Sequence, residues 1–180
     1  LQVDTVLLDN EQASELAVVH LIQKGYRRIG MITPSLDRNI TPRLERISGF
    51  KKALQKQGVP VREGDYASVE IAEMRQTLTR MFAQPEPPEA LIAGNDLTMM
   101  EVLRFAKAAN LAIPEQLALV GIDDVPFFEI YDPPLTAVRQ PAFAMGKKAC
   151  ELLLKRIKGE RADAGGIYRF APELITRSST

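Results

Sequence analysis

Apolar residues in this chain fall into short runs that alternate with amphipathic stretches. Residues 3–8 carry Val3, Thr5, Val6, Leu7 and Leu8, β-branched or apolar, and predict a strand. Asp9 and Asn10 follow as good N-cap residues, with Glu11 where a carboxylate favours the helix dipole. Ala13, Leu16, Ala17, His20 and Leu21 then recur at helical spacing, and Gly25 can close that helix in the left-handed conformation. Residues 29–33 read as a short buried strand stopped by Pro34, and residues 35–41 as a polar loop. A second helix is predicted over 42–57, with Ile47, Phe50, Ala53 and Leu54 on one face.

The same rhythm continues. Residues 66–71 form a weaker strand and 72–83 a helix; 90–93 and 117–122 are apolar strands, with a helix over 97–109 between them. Consecutive βα units of this kind imply a parallel sheet covered by helices on both faces, a three-layer α/β/α architecture. After Pro133 and Pro134 the rhythm changes. Residues 136–139 are extended, a long helix follows Pro141 to about residue 158, and 168–175 hold a short strand broken at Pro172.

Composition narrows the picture. The chain has 180 residues, 46% hydrophobic and 26% charged, which is one domain or a domain and a fragment, with enough chain for a real core. No apolar run approaches the ~20 residues of a membrane span. Lys and Arg total 23 and Asp and Glu total 23, so formal net charge is zero. That balance argues against a nucleic-acid-binding domain, which needs a basic face to neutralise phosphates. The single cysteine, Cys150, permits no internal disulfide; it reads as a reduced thiol of a cytoplasmic protein, in a core-facing or neutral helix position. The start, Leu1-Gln2-Val3, lacks the features of a signal peptide and reads as cut from something longer.

Polar groups gather just after the apolar strands: Asn95 and Asp96 after one, Asp123 and Asp124 after the next. In an open α/β sheet ligands bind outside the carboxyl ends of the strands, and short acceptors there suit a hydroxyl-rich or nitrogen-rich ligand. Capping of the following helices is the plainer explanation, above all for Asp96 and Asp124. Catalytic patterns are missing. There is no G-x-G-x-x-G, no phosphate-binding G-x-x-x-x-G-K-[ST] and no G-x-S-x-G elbow. The one histidine, His20, lies inside an amphipathic helix and reads as structural. No cofactor or metal is expected. The residues alone reach a small-molecule-binding α/β domain.

The order of short motifs carries a further resemblance. Val6-Leu7-Leu8-Asp9-Asn10, then His20-Leu21-Ile22 and Gly25-Tyr26-Arg27-Arg28-Ile29, resemble the V-x-x-D-N … H-L-I-x-x-G-H-R-R-I signature of LacI/GalR-family bacterial transcription regulators, with Tyr26 in place of the usual His. Arg46-Ile47-Ser48-Gly49-Phe50, Gly94-Asn95-Asp96, Val120-Gly121-Ile122-Asp123-Asp124, Pro133-Pro134-Leu135-Thr136 and the ending Arg177-Ser178-Ser179-Thr180 match further family motifs in order. The resemblance implies the type I periplasmic-binding-protein-like fold of the family's effector-binding core. It implies that residues 10–139 are the C-terminal effector-binding subdomain, with 1–9 ending the N-terminal subdomain, 140–171 returning to it, and 172–180 coming back. The helix-turn-helix head is expected to be absent from these residues, so operator DNA would be bound only through that missing head.

By motif position, Arg46, Asn95 and Asp123 match effector-contacting residues, and an Arg fork with two side-chain acceptors can bracket a polyol or carboxylate. Arg38 resembles a loop residue that reaches the ligand in purine-responsive members. Tyr66 is the candidate aromatic platform, with Ile71 as its rival for that place. The resemblance also implies a homodimer joined through Met99, Met100, Phe127, Phe128 and Tyr131. Two other readings share parts of this pattern. A periplasmic-type sugar-binding protein has the same fold but often stacks sugars on Trp, and this chain has none. A small α/β enzyme would need a general base or cofactor that no motif supplies.

Overall fold

The computed structural model describes residues 3–36, 40–160 and 164–180. Two sheets organise the chain. The larger has six strands in the order β3-β2-β4-β5-β6-β8, where β2 is Ile29–Pro34, β3 Tyr66–Val69, β4 Ala90–Ala93, β5 Ala118–Ile122, β6 Thr136–Arg139 and β8 Glu173–Ile175. All its neighbours run parallel except β8, which lies antiparallel to β6. The smaller sheet pairs β1, Thr5–Leu8, with β7, Ile167–Phe170, in parallel. The helices are α1 Asn10–Gln23, α2 Thr41–Lys56, α3 Met74–Phe82, α4 Asp96–Ala108, α5 Pro126–Ile130 and α6 Ala142–Ile157.

The three layers follow from strand periodicity. Successive strand side chains point to opposite faces. Met31, Ile92, Val120 and Val138 therefore join Ala17, Leu21, Phe50 and Leu54 of α1 and α2 in one core. Their neighbours Ile32, Leu91, Leu119 and Ala137 join Leu78, Met99, Val102 and Phe128 in the other. Fully burying an apolar side chain of this size contributes about 1.5–3 kcal/mol. Gly121 on β5 has a packing reason: a Cβ there would run into the ring of Phe128, which is fully buried.

Four local features differ from the expectation. Pro34 ends β2 as its last paired residue, opposite Val69, and does not stop the strand before it. Strand β3 ends at Val69, because residues 71–73 turn into a 3-10 segment before α3. The segment 168–175 is two strands in different sheets, separated at the break around Pro172. Residues 126–130, with Pro at the start, form the short helix α5. Cys150 is exposed, the neutral rather than the core-facing of its two expected placements.

The carboxyl-terminal residues stitch the sheet. Ser179 Oγ donates to Leu119 O at 2.7 Å and accepts from Thr136 N at 2.8 Å. Thr180 Oγ1 lies 3.0 Å from Thr136 Oγ1 and 2.8 Å from His20 Nε2. His20 is thus a structural histidine, and its burial holds the imidazole below its ordinary pKa.

Candidate functional site

Parallel strands deliver the residues after each strand to one edge of the sheet. Here that edge collects Asn95 and Asp96 after β4, Asp123 after β5 and Gln140 after β6. The amino-terminal ends of α1 and α2 face the same edge and bring Asn10 and Arg46.

Arg46 is the hub. It is 9% exposed, an unusual place for a guanidinium, and its donors are directed by neighbours from three elements. Nε donates to Asn10 Oδ1 at 2.9 Å, and Nη1 donates to the carbonyl of Gly94 at the end of β4. Nη2 stands 3.8 Å from Asp123 Oδ1, near enough for attraction and too far for a hydrogen bond. Gln140 Nε2 donates to the same Asp123 oxygen at 2.6 Å. Asn10, 2% exposed, donates in turn to Leu8 O and to Glu45 Oε2, each at 3.2 Å.

The electrostatics show a pair short of solvation. Burial raises the Asp123 carboxyl above its ordinary pKa, and neither Arg46 nor Gln140 fully offsets that. Burial also lowers the Arg46 guanidinium despite the opposing pull of Asp123. On both sides desolvation outweighs the partner. The Asp123 backbone is strained as well, at φ +85°, a left-handed conformation that Asp and Asn tolerate better than most residues. A half-buried acid held this way offers acceptors to a ligand that brings its own donors.

Asp123 therefore has a defined pH signature. Folding raises its pKa, so its ionisation costs stability, and that cost appears as pH rises through the interval between the unfolded and folded values. Asp123→Asn keeps the size and the backbone preference and removes the charge. The variant is expected to gain stability relative to the natural chain as pH rises from about 4 to 7. Thermal unfolding across that range checks it; a gap that stays constant or moves the other way contradicts the burial argument.

The expected site residues divide. Arg46 and Asp123 meet directly. Asn95 is beside them, but its Oδ1 already accepts from Thr98 N at 2.9 Å and Thr98 Oγ1 at 2.6 Å, capping α4. Its acceptor serves the helix. Tyr66 is not with them. It opens β3 opposite Met31, at the amino half of the sheet, packs against the core under Lys51 and lies away from the carboxyl edge. The pleat and strand direction put Ile71, just past β3 and 37% exposed, nearer that edge. Arg38 lies outside the described residues.

Asn10, Gln140 and Glu45 complete the network and were not expected. Asn10 has the sequence signal of an N-cap, yet Asp9 caps α1 by accepting from Gln12 N at 3.0 Å, and Asn10 turns inward. Asp124 is not a helix cap either. Its two oxygens take bonds from Arg177 Nη1 and Nη2 at 2.9 and 3.1 Å and from Arg139 Nε and Nη2 at 3.0 and 2.7 Å.

The five expected interface residues also separate. Met99 and Phe128 are fully buried in the core of this chain and have no surface to offer. On α4 the inward positions are Met99, Val102, Leu103 and Ala106, so helical spacing turns Met100 outward. Phe127 packs edge-on against Phe128, 4.8 Å between centroids, and stays half-buried, as does Tyr131. Leu97 and Ile130, exposed at 58% and 83%, are apolar surface positions beside them in sequence that had not been anticipated.

Comparison with known proteins adds to this geometry. The family described as periplasmic binding protein-like domain matches residues 18–180. A curated relative, the probable HTH-type transcriptional regulator EndR of Paenibacillus polymyxa, is 44% identical over 99% of this chain and 54% of its own length. The chain spans about half the length of the curated relatives it matches. Among solved structures, the complex of the transcriptional regulator CelR with cellobiose superposes with a TM-score of 0.88 at 32% identity, over 99% of this chain and 54% of that one. A regulatory protein of the LacI family from Chloroflexus aggregans gives 0.86 at 28% identity, over 96% and 62%. The family match, these relatives and a buried Arg–Asp cluster at the carboxyl edge of a parallel sheet agree: the chain belongs to the periplasmic-binding-protein-like domain family, among the LacI-type transcription regulators.

Proposed function

We propose that this chain is the effector-binding and dimerisation portion of a LacI-type regulator, acting in the cytoplasm, in which a small hydroxyl-rich metabolite controls operator binding by a DNA-binding head outside these residues. The observation that carries the reading is the Arg46–Asp123 pair: two charges, both largely withdrawn from water, 3.8 Å apart at the edge where α/β sheets hold ligands. A sugar or sugar acid supplies hydroxyls that donate to Asp123 and accept from Arg46 and Gln140. Leu44 at the start of α2 and Ile71 offer apolar contact for ring faces, and the likeness to a regulator solved with cellobiose supports a sugar.

The same reading assigns β1, β7 and α6 to a second subdomain. Phe143, Leu153, Leu154 and Ile157 of α6 are all more than half exposed, which suits a helix that packs against further chain. A shift between the two subdomains would carry the signal, driven by the effector's unequal affinity for the two arrangements. The dimer would use Met100, Phe127 and Tyr131, joined by Leu97 and Ile130. No catalytic step is assigned.

Thermal-shift screening of the intact protein against neutral sugars, sugar acids, phosphosugars and purines tests the ligand class. A sugar or sugar acid is expected to raise the unfolding temperature in a concentration-dependent way. Stabilisation by purines alone would contradict the reading.

A further inference from the structure

The effector-side cluster does not end at Arg46. Glu45, the preceding residue on α2, receives Arg169 Nη2 at 2.8 Å on Oε1 and Arg169 Nη1 at 3.3 Å on Oε2. The same Oε2 accepts from Asn10 Nδ2 at 3.2 Å. Asn10 is thereby fixed in one orientation: its amide nitrogen faces two acceptors, Glu45 and Leu8 O, and its amide oxygen faces Arg46 Nε. Arg169 lies on β7, which among the described residues pairs only with β1, whereas Arg46 reaches the edge of the six-stranded sheet. An unbroken series of hydrogen bonds therefore runs from the β1–β7 pair through Glu45 and Asn10 to the guanidinium at the carboxyl edge of the larger sheet.

We propose that Glu45 and Arg169 are positioning residues for the Arg46–Asp123 cluster: acting through Asn10, they set the guanidinium of Arg46 and tie its direction to the β1–β7 pair. Four features support this. Arg169 forms a two-point pair with Glu45, which fixes the carboxylate plane better than a single contact does. Glu45 is itself only 17% exposed at the side chain, so its orientation is not averaged by solvent. The Arg169 contact also holds the Glu45 carboxyl below its ordinary pKa, so it stays an acceptor at neutral pH. Finally, Asn10 is buried, and its amide cannot exchange roles without losing three bonds. A displacement of the β1–β7 pair relative to α2 would then reach Arg46 through bonds rather than through solvent. The importance of this for effector control rests on the reading of Arg46 as an effector contact.

Phenylglyoxal labelling of the intact protein, with the modified arginines resolved by peptide mass spectrometry, tests the positioning directly and needs no effector. In the natural protein Arg46 should label slowly. Glu45→Ala should speed its labelling by about tenfold, the scale set by losing one bond to a charged group. Arg169→Leu, at a more exposed position, should act in the same direction, and Arg169→Lys should retain most of the protection. Arg177, 14% exposed at its side chain and bonded elsewhere, is the internal control and should not change. Unchanged Arg46 labelling in both Glu45→Ala and Arg169→Leu overturns the proposal, and so does a rise shared equally by Arg177, which would mean general loosening. Should Arg46 prove not to contact the effector, the labelling result would stand and only its link to effector control would fall.

Discussion

Gly49→Ala should be a strongly destabilising single-methyl change. A Cβ at Gly49 would lie 2.5 Å from the carbonyl oxygen of Glu11, 2.6 Å from its Cα and 2.9 Å from its carbonyl carbon. All three are backbone atoms in the first turn of α1, so no side-chain rotation can relieve the contact. The two helices must separate, and the core that Ala13, Ala17, Phe50 and Ala53 build between them opens with them. Overpacking of this kind costs about 3 kcal/mol when the neighbour cannot yield. For a domain of this size that is a fall of roughly 6–12 °C in unfolding temperature. The effect reaches the site as well. Gly49 is one helical turn from Arg46, and Glu11 is next to Asn10, so forcing the helices apart stretches the Asn10–Arg46 bond. Thermal unfolding of Gly49→Ala measures the first effect. A change under about 1 kcal/mol would show that α1 and α2 slide past each other easily, contrary to the close packing seen.

Asp124→Ala should cost about as much, by a different cause. The Asp124 side chain is 5% exposed and compensates Arg177, itself 14% exposed, with Arg139 completing the cluster. Removing the acid leaves a mostly buried guanidinium facing no carboxylate, and such breaks cost about 3–5 kcal/mol. Arg177 also donates to Leu135 O at 2.7 Å, so the loss loosens the joint between the carboxyl terminus and the start of β6. The pH dependence has a definite sign. Hydrogen bonds from Arg177 and Arg139 hold this carboxyl below its ordinary pKa, although burial opposes them. A depressed folded pKa means that the unfolded chain takes up the proton first as pH falls. The contribution of Asp124 is therefore complete at neutral pH and is lost in acid, below the ordinary carboxylate range. The stability gap between the natural chain and Asp124→Ala should narrow as pH drops; a gap independent of pH would contradict the assignment. Asp123, one residue earlier, has the opposite shift, so the two neighbouring acids should give pH profiles of opposite slope.

These two acids also show what the sequence could reveal. The repeated strand and helix rhythm was legible because buried parallel strands are short and apolar and their helices amphipathic. The sheet, its parallel sense and most element positions follow from that pattern. Arg46 and Asp123 could be singled out by motif and by position at strand ends. Asp123 and Asp124 look alike in sequence, and the approach of Arg139 and of Arg177, 53 positions further on, makes one a structural anchor. Tyr66 stands apart from Arg46 and Asp123 because strand β3 starts at Tyr66, which puts it at the amino half of the sheet, away from the carboxyl edge. Asn95 shows one side chain answering two demands, since capping α4 occupies the oxygen expected to meet a ligand. Met99 and Phe128 were grouped with surface residues because adjacent apolar pairs hide which member faces inward. On α4 the helical period decides it; on α5 the space left by Gly121 does.

On the proposed reading the effector is held between Arg46 and Asp123. Isothermal titration of the intact protein with its stabilising sugar, alongside Arg46→Ala and Asp123→Asn, tests it most directly. Arg46→Ala removes a charge-assisted contact worth about 1.5–3 kcal/mol and should weaken binding by roughly tenfold to a hundredfold. Asp123→Asn turns a charged acceptor into a neutral one and should weaken a hydroxyl-donating ligand by about tenfold. Because Arg46 also bonds Asn10 and the Gly94 carbonyl, its removal costs some stability, and Asp123→Asn is the cleaner member of the pair. Weaker binding in both folded variants is the result this structure leads to; affinities unchanged in both would place the effector elsewhere.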